Sequence, residues 1–176
     1  MMSVTHILVG GLVMIGLIAG ARKIEDADKK NRDLLMRYEL IMQGSAGGIW
    51  DWDICKKQVY FSPVWKAMRG YQENEISDSE SEWSDDIHPD DKKKVMAEVQ
   101  DHFKGKSKVF NLAYRVRRKD GSWIWIRDRG KVLRDHTGRV IRMAGSEVDI
   151  TDYVNARNQL LQSEQRYKSL ADVSPS

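Results

Sequence analysis

The sequence predicts an α+β domain in which a five-stranded antiparallel sheet carries helices on one face and is flanked by an N-terminal and a C-terminal helix. Three observations predict it. Two short β-prone runs, Ile49-Trp50-Asp51-Trp52-Asp53 and Gln58 to Phe61, are separated by the turn-like Cys55-Lys56-Lys57. Three longer alternating runs follow Phe110, and two proline-initiated helix starts, Ser62-Pro63 and His88-Pro89, lie between the two sets. The composition supports one such domain with extensions: 176 residues, 41% hydrophobic and 31% charged, with 6 Trp, 6 Tyr and 3 Phe for a core and only 3 Pro.

The chain begins with a candidate membrane segment. Ile7 to Ala21 is an unbroken apolar and glycine run, and with Val4, Thr5 and His6 it reaches the short end of what spans a bilayer. Arg22 and Lys23 follow at once, so the positive-inside rule places the rest of the chain on the cytoplasmic side of an inner or plasma membrane. A cleaved signal peptide competes, because Ala19-Gly20-Ala21 offers small residues at a cleavage site, although no Lys or Arg precedes Ile7. Gly10, Gly11, Gly16 and Gly20 argue against a water-soluble helix, where each costs about 1 kcal/mol. The segment division is then 1–22 as anchor, 23–43 as amphipathic connector, 44–151 as the domain, and 152–176 as an exit helix.

In the connector, Leu34, Leu35, Tyr38, Ile41 and Met42 form an apolar stripe on an otherwise charged helix. Ser62 is placed to cap the helix carrying Val64, Trp65 and Met68, which Gly70 ends. His88-Pro89-Asp90-Asp91 opens a longer helix to about Phe103, its two carboxylates at the positive end and Val95, Met96, Val99 and Phe103 on its apolar face. Phe110, Leu112, Tyr114 and Val116 alternate in the first meander strand, Trp123 to Leu133 forms the second and Arg139 to Ile150 the third. From Thr151 the chain is helical, with Tyr153, Ala156, Leu160, Ser163, Tyr167 and Leu170 as a short coiled-coil seam suited to a parallel homodimer.

Ile87-His88-Pro89-Asp90-Asp91 before the long helix, Tyr114 to Ser122 through the first meander turn, Trp125 with Asp128-Arg129-Gly130, and the closing Asp149-Ile150-Thr151 together resemble a PAS domain of the subclass with a PAC motif. The resemblance covers roughly Leu34 to Thr151 and implies the PAS fold, flanking signalling helices, a pocket between sheet and helices, and a C-terminal effector such as a histidine kinase or a diguanylate cyclase. It also implies that Asp149, Ile150 and Thr151 transmit the signal, Asp149 as a cap on the exit helix and Thr151 through its hydroxyl in the same turn. Arg37, Tyr38, Ile41 and Ser45 recur as Arg166, Tyr167, Leu170 and Ser174 at one constant offset, the expected start of a second such unit.

The candidate pocket residues are Trp50, Trp65, His102, Tyr114, Trp125 and Met143. One of each pair Trp50/Trp52 and Trp123/Trp125 is expected to face the pocket, either to wall a small-molecule ligand or simply to fill the space. The common catalytic motifs are absent, so no enzyme is expected within these residues. The single cysteine, Cys55, excludes an intrachain disulfide, falls in a hairpin turn, and lies too early for the flavin-adduct motif of light-sensing relatives. His102 lies where oxygen-sensing relatives place a haem ligand, against the plainer reading of a structural or solvent-facing histidine. The cofactor is therefore open, with none favoured over flavin or haem, and no metal site is expected.

The formal charge is only +3, but it is unevenly spread. Gln72 to Asp91 holds many carboxylates and no Lys or Arg, and reads as a solvated loop without calcium-site spacing. His102 to Arg142 is strongly basic, the pattern of the wet face of strands, and no nucleic-acid partner is expected. The reading is a membrane-anchored sensor or relay module; its rival is a constitutive dimerisation scaffold that senses nothing.

Overall fold

The computed structural model describes residues 20–33, 36 and 47–172. The chain divides into two compact units, Met1–Ser45 and Ala46–Ser176. In the first, helix α1 covers residues 20–33 and is exposed throughout. Among the described residues no helix is long and apolar enough to cross a membrane. Residues 4–19 of the candidate span, the stripe residues Leu34, Leu35, Tyr38, Ile41 and Met42, and the repeat positions Arg37, Ser45 and Ser174 lie outside the described residues, as do the side chains of Tyr167 and Leu170.

The second unit is built on one five-stranded antiparallel sheet of β1 (Gly48–Asp53), β2 (Gln58–Phe61), β3 (Phe110–Arg117), β4 (Trp123–Arg134) and β5 (Val140–Asp149), in the order β2-β1-β5-β4-β3. Local turns make the hairpin and the meander; the long-range pairing of β1 with β5, in which Trp50 lies opposite Gly145, joins them. Between them come α2 (Pro63–Met68), a 3-10 turn (Glu73–Glu75), α3 (Ser81–Ser84) and α4 (Pro89–Phe103), and α5 (Thr151–Asp172) leaves the end of β5.

The helix starts follow from their caps. Ser62 accepts a hydrogen bond from the Trp65 amide through its hydroxyl, and His88 accepts one from the Asp90 amide, with proline at the first helical position in each case. Beyond the helix ends, Gly70 and Gly105 have φ of 81° and 79°, a conformation other residues enter only with strain. The core is continuous with the inward face of the sheet. Trp50, Val59, Phe61, Trp65, Val99, Phe110 and Met143 form one cluster, and Ile87, Val95, Tyr114, Val116, Ile124 and Ile126 the other.

The acidic run is solvated at most of its carboxylates, Glu73, Asp78, Glu80, Asp85 and Asp90 among them, but it is not a plain loop. Between residues 72 and 91 it folds into the 3-10 turn and α3, buries Ile76 and Ile87, and sets Glu75, Asp86 and Asp91 against the basic strand β3 and its turn. Asp91 grips the Arg115 guanidinium with both oxygens, each at 2.9 Å. Asp86 meets Arg117 at 3.1 Å and Glu75 meets Lys119 at 2.6 Å. Segregation along the sequence is complementarity in space, which single-strand charge patterning does not display.

Candidate functional site

Side chains two residues apart on a strand share a face, so Trp50 and Trp52 both turn inward and Trp123 and Trp125 both turn outward. This corrects the expectation of one inward tryptophan per pair. On β4 the buried positions are Ile124, Ile126, Asp128 and Gly130, while Trp123 is exposed and Trp125 lies half-buried on the outer face beside the Arg115 guanidinium, 5.5 Å from its ring centre.

The inward face encloses a small cavity of about 30 Å³. Trp50 and Trp52 from β1, Val59 and Phe61 from β2, Phe110 from β3, Asp128 from β4 and Met143 from β5 form its sheet side; Val99 of α4, with Glu80 and Trp83, closes it. Of the six pocket candidates, Trp50 and Met143 are in this wall. Trp65 is buried behind it, stacked on Phe61 at 4.0 Å between ring centres. Tyr114 is buried in the other core cluster and is not in the wall, and Trp125 is on the other side of the sheet. His102 is buried at the end of α4, its Nδ1 2.9 Å from the Ser107 hydroxyl, and is not a wall residue. Trp52, Trp83 and Asp128 were missed. The alternation Ile124, Ile126, Asp128 was a readable signal, because it puts a carboxyl at a core position.

Asp128 is the centre of a buried polar chain. Its Oδ1 accepts a hydrogen bond from Trp50 Nε1 at 2.9 Å and its Oδ2 one from the Tyr114 hydroxyl at 2.8 Å. Trp83 Nε1 donates in turn to the Tyr114 oxygen at 2.8 Å. Burial pushes the Asp128 carboxyl well above the usual carboxylate range, and the Glu147 carboxyl, opposite it on β5, pushes the same way. The two hydrogen bonds and Arg69 oppose the shift without cancelling it. Burial likewise raises Tyr114, and raises Glu147 against the pull of Arg69.

Glu147 pairs with Arg69, the residue that ends α2, at 2.6 Å with both side chains buried, and the Arg69 guanidinium lies 3.6 Å from the centre of the Trp65 ring. Two residues beyond Glu147 the strand reaches Asp149. Its Oδ1 accepts from the Thr151 amide at 2.9 Å and its Oδ2 from Arg118 Nη2 at 2.9 Å. Arg118 also donates through Nε to the Met68 carbonyl, so Asp149, the β3–β4 turn and the end of α2 are tied together. The Thr151 hydroxyl does not serve its own turn. It accepts from the Trp125 amide on β4 at 3.0 Å, while the Ile150 amide donates to the Trp125 carbonyl at 2.8 Å. The start of α5 is therefore fastened to β4 by Ile150 and Thr151 on one side and to Arg118 by Asp149 on the other.

Neither cofactor considered from the sequence fits. Pockets for ligands of that size enclose roughly 300–1,000 Å³, whereas this cavity has about 30 Å³. Cys55 is exposed in the hairpin turn, far from a flavin-adduct position, and His102 is not aimed from the cavity wall. Among the described residues no group of three or more His, Cys, Asp or Glu side chains is placed to hold a metal ion.

A helix-covered five-stranded antiparallel sheet with a cavity between the layers and a strand-to-helix exit defines a class of sensory domain. The chain belongs to the PAS fold family, whose profile matches residues 58–146. It is 32% identical over 90 residues to the two-component sensor PprA of Pseudomonas aeruginosa, a match covering 51% of this chain and 9% of that protein. It is 32% identical over 81 residues to hybrid signal transduction histidine kinase A of Dictyostelium discoideum, covering 44% of this chain and 4% of that protein. The chain thus spans less than a tenth of either curated relative. Among solved structures, a sensory box histidine kinase/response regulator from Burkholderia thailandensis superposes with a TM-score of 0.66 at 32% identity, over 76% of this chain and 98% of that one. The N-terminal domain of a diguanylate cyclase with PAS/PAC sensor from Marinobacter aquaeolei gives 0.53 at 27%, over 60% and 95%. The domain is a sensory module homologous to domains of histidine kinases and diguanylate cyclases.

Proposed function

We propose that this domain is a sensory relay in which the state of the cavity is passed through the Asp149-Ile150-Thr151 junction to α5, and by α5 to a C-terminal effector of the histidine kinase or diguanylate cyclase kind. The observation that carries the reading is the short covalent and ionic path between the two sites. Asp128 in the cavity wall lies opposite Glu147, Glu147 holds Arg69, and Asp149 two residues on is held by Arg118, which also binds the end of α2. A change in the cavity that shifts β4 against β5 changes the restraint on the first turn of α5, and a ligand shifts that equilibrium only by its different affinity for the two arrangements.

In the full protein, residues 4–21 serve as a membrane anchor that leaves this domain in the cytoplasm, and α5 pairs with its counterpart in a parallel homodimer. Tyr153 and Leu160 on α5 are 63% and 60% exposed, the apolar surface such pairing would cover. The similarity to sensor kinases and to a cyclase-linked sensor supports the effector assignment.

The direct test fills the cavity. Val99→Phe in the full chain should change hydrogen-exchange protection of the Thr151 and Val154 amides while the sheet amides keep theirs. Unchanged protection at the start of α5, with the cavity filled and the fold intact, would refute the relay and leave a constitutive scaffold.

A further inference from the structure

The outer face of the sheet, turned away from the cavity, carries a row of cations that the fold leaves unneutralised. Arg127, Arg129 and Lys131 stand at alternate positions of β4 and are all exposed, so they share that face and span about 13 Å. The other basic residues of the face have carboxylate partners: Asp91 for Arg115, Asp86 for Arg117 and Asp51 for Arg142. Among the described residues no carboxylate pairs with the three on β4. Their cross-strand neighbours are uncharged, Ala113 and Val148 beside Arg127, Asn111 and Ser146 beside Arg129, and Ala144 beside Lys131.

The same face shows apolar groups to solvent. Trp123 and Leu133, at the two ends of the row on β4, are 41% and 57% exposed, and Val148 next to Arg127 is 39% exposed. The exit helix leaves them uncovered, being itself exposed at every residue from 155 to 166. Cations interleaved with an indole and aliphatic groups suit the headgroup boundary of a bilayer, where anionic lipids attract Lys and Arg and apolar groups enter the interface. We propose that this outer face docks on an anionic phospholipid surface, with Arg127, Arg129 and Lys131 against the headgroups and Trp123, Leu133 and Val148 at the acyl boundary.

Charge and chemistry separate this occupant from the others. A second copy set face to face brings the row against its own image, and like charges repel. A nucleic acid meets the cations through its phosphates but offers Leu133 and Val148 no apolar layer. The inference rests on the reading of residues 4–21 as an anchor only in that an anchor keeps the face within reach of a bilayer; the charge and the exposed apolar groups do not depend on it.

The test mixes the full chain with vesicles of phosphatidylcholine alone and with vesicles containing phosphatidylglycerol in equal part. Lysines are acetylated briefly with a neutral reagent, and mass spectrometry reads the rate at each site. Lys131 should react about tenfold more slowly on the anionic vesicles, while Lys93 and Lys94, exposed on α4, react alike on both. Arg127→Gln combined with Arg129→Gln, both at exposed positions, should abolish the difference and leave the melting temperature unchanged. Equal reaction of Lys131 on the two vesicle types would overturn the docking, and sedimentation with phosphatidylcholine vesicles reports separately whether residues 4–21 insert. Equal protection of Lys131 by soluble polyglutamate would overturn the lipid assignment in favour of an acidic protein partner. Protection that grows with protein concentration, without vesicles, would put a second copy on the face instead.

Discussion

The indole of Trp50 lies across a glycine pair on the neighbouring strands and donates its N–H to Asp128 at 2.9 Å. Gly130 and Gly145 face each other between β4 and β5, and a Cβ built on Gly130 would stand 2.7 Å from the Trp50 ring. One side chain of β1 therefore packs against two further strands, β5 and β4, and carries a buried carboxyl on its edge. The wall of the cavity and the register of the sheet are consequently one piece of structure.

Gly145→Ala should destabilise the domain by about 1–3 kcal/mol, because the new methyl group meets the Trp50 ring and the Arg129 carbonyl. Trp50→Leu in the same chain should recover part of the loss, giving a non-additive double-mutant cycle by denaturant unfolding. Additive losses would show that the glycine is required for something other than the indole.

Asp128 gives the domain an inverted pH dependence. Its carboxyl is raised in the fold, so the stability it contributes is full below the unfolded value of about 3.9 and is lost as pH rises through the folded value. Asparagine mimics only the neutral acid. The melting temperature of Asp128→Asn should therefore fall furthest below that of the natural chain in acid and approach it as pH rises. A gap that widens with pH would mean that Asp128 is ionised in the fold.

Asp91 has the opposite sign. The Arg115 guanidinium holds its carboxyl below the usual range, so its contribution is present above the unfolded value and is lost as pH falls through the folded one. Asp91→Asn should cost about 2 kcal/mol at neutral pH, as expected for a charge-assisted pair, and much less in acid. Chemical unfolding at the two pH values checks this.

Asp149→Ala removes the acceptor shared by the Thr151 amide and Arg118. The expected loss is about 1 kcal/mol, small for a domain and comparable with the bias between two signalling states. The fold should persist, seen in a melting curve, while the full-length protein changes its output with and without signal. Unchanged output, or collapse of the fold, would remove Asp149 from transmission.

Leu160→Asp should weaken self-association through α5, where Leu160 stands exposed. Light scattering on the full chain decides it. A monomer for both natural and substituted chains at high concentration would overturn the paired-helix arrangement.

The alternation from Phe110 onward, the Pro-initiated helices with their Ser62 and His88 caps, and the turn glycines are local features, and local chemistry determined them: five strands and the major helices were legible residue by residue. What the tertiary structure decided depends on contacts far apart in the chain. The pairing of β1 with β5 put Trp50 over Gly145, and no local signal specifies a partner strand so distant. The packing of helices on the assembled sheet chose the contents of the cavity, bringing Trp52, Asp128 and Trp83 to its wall and leaving Tyr114, Trp65 and His102 out of it. The pairing of Asp91, Asp86 and Glu75 was not legible in the acidic run because their partners, Arg115, Arg117 and Lys119, arrive only when β3 is laid beside it. Strand periodicity gives the face on which a side chain stands; only packing gives the neighbour it meets there.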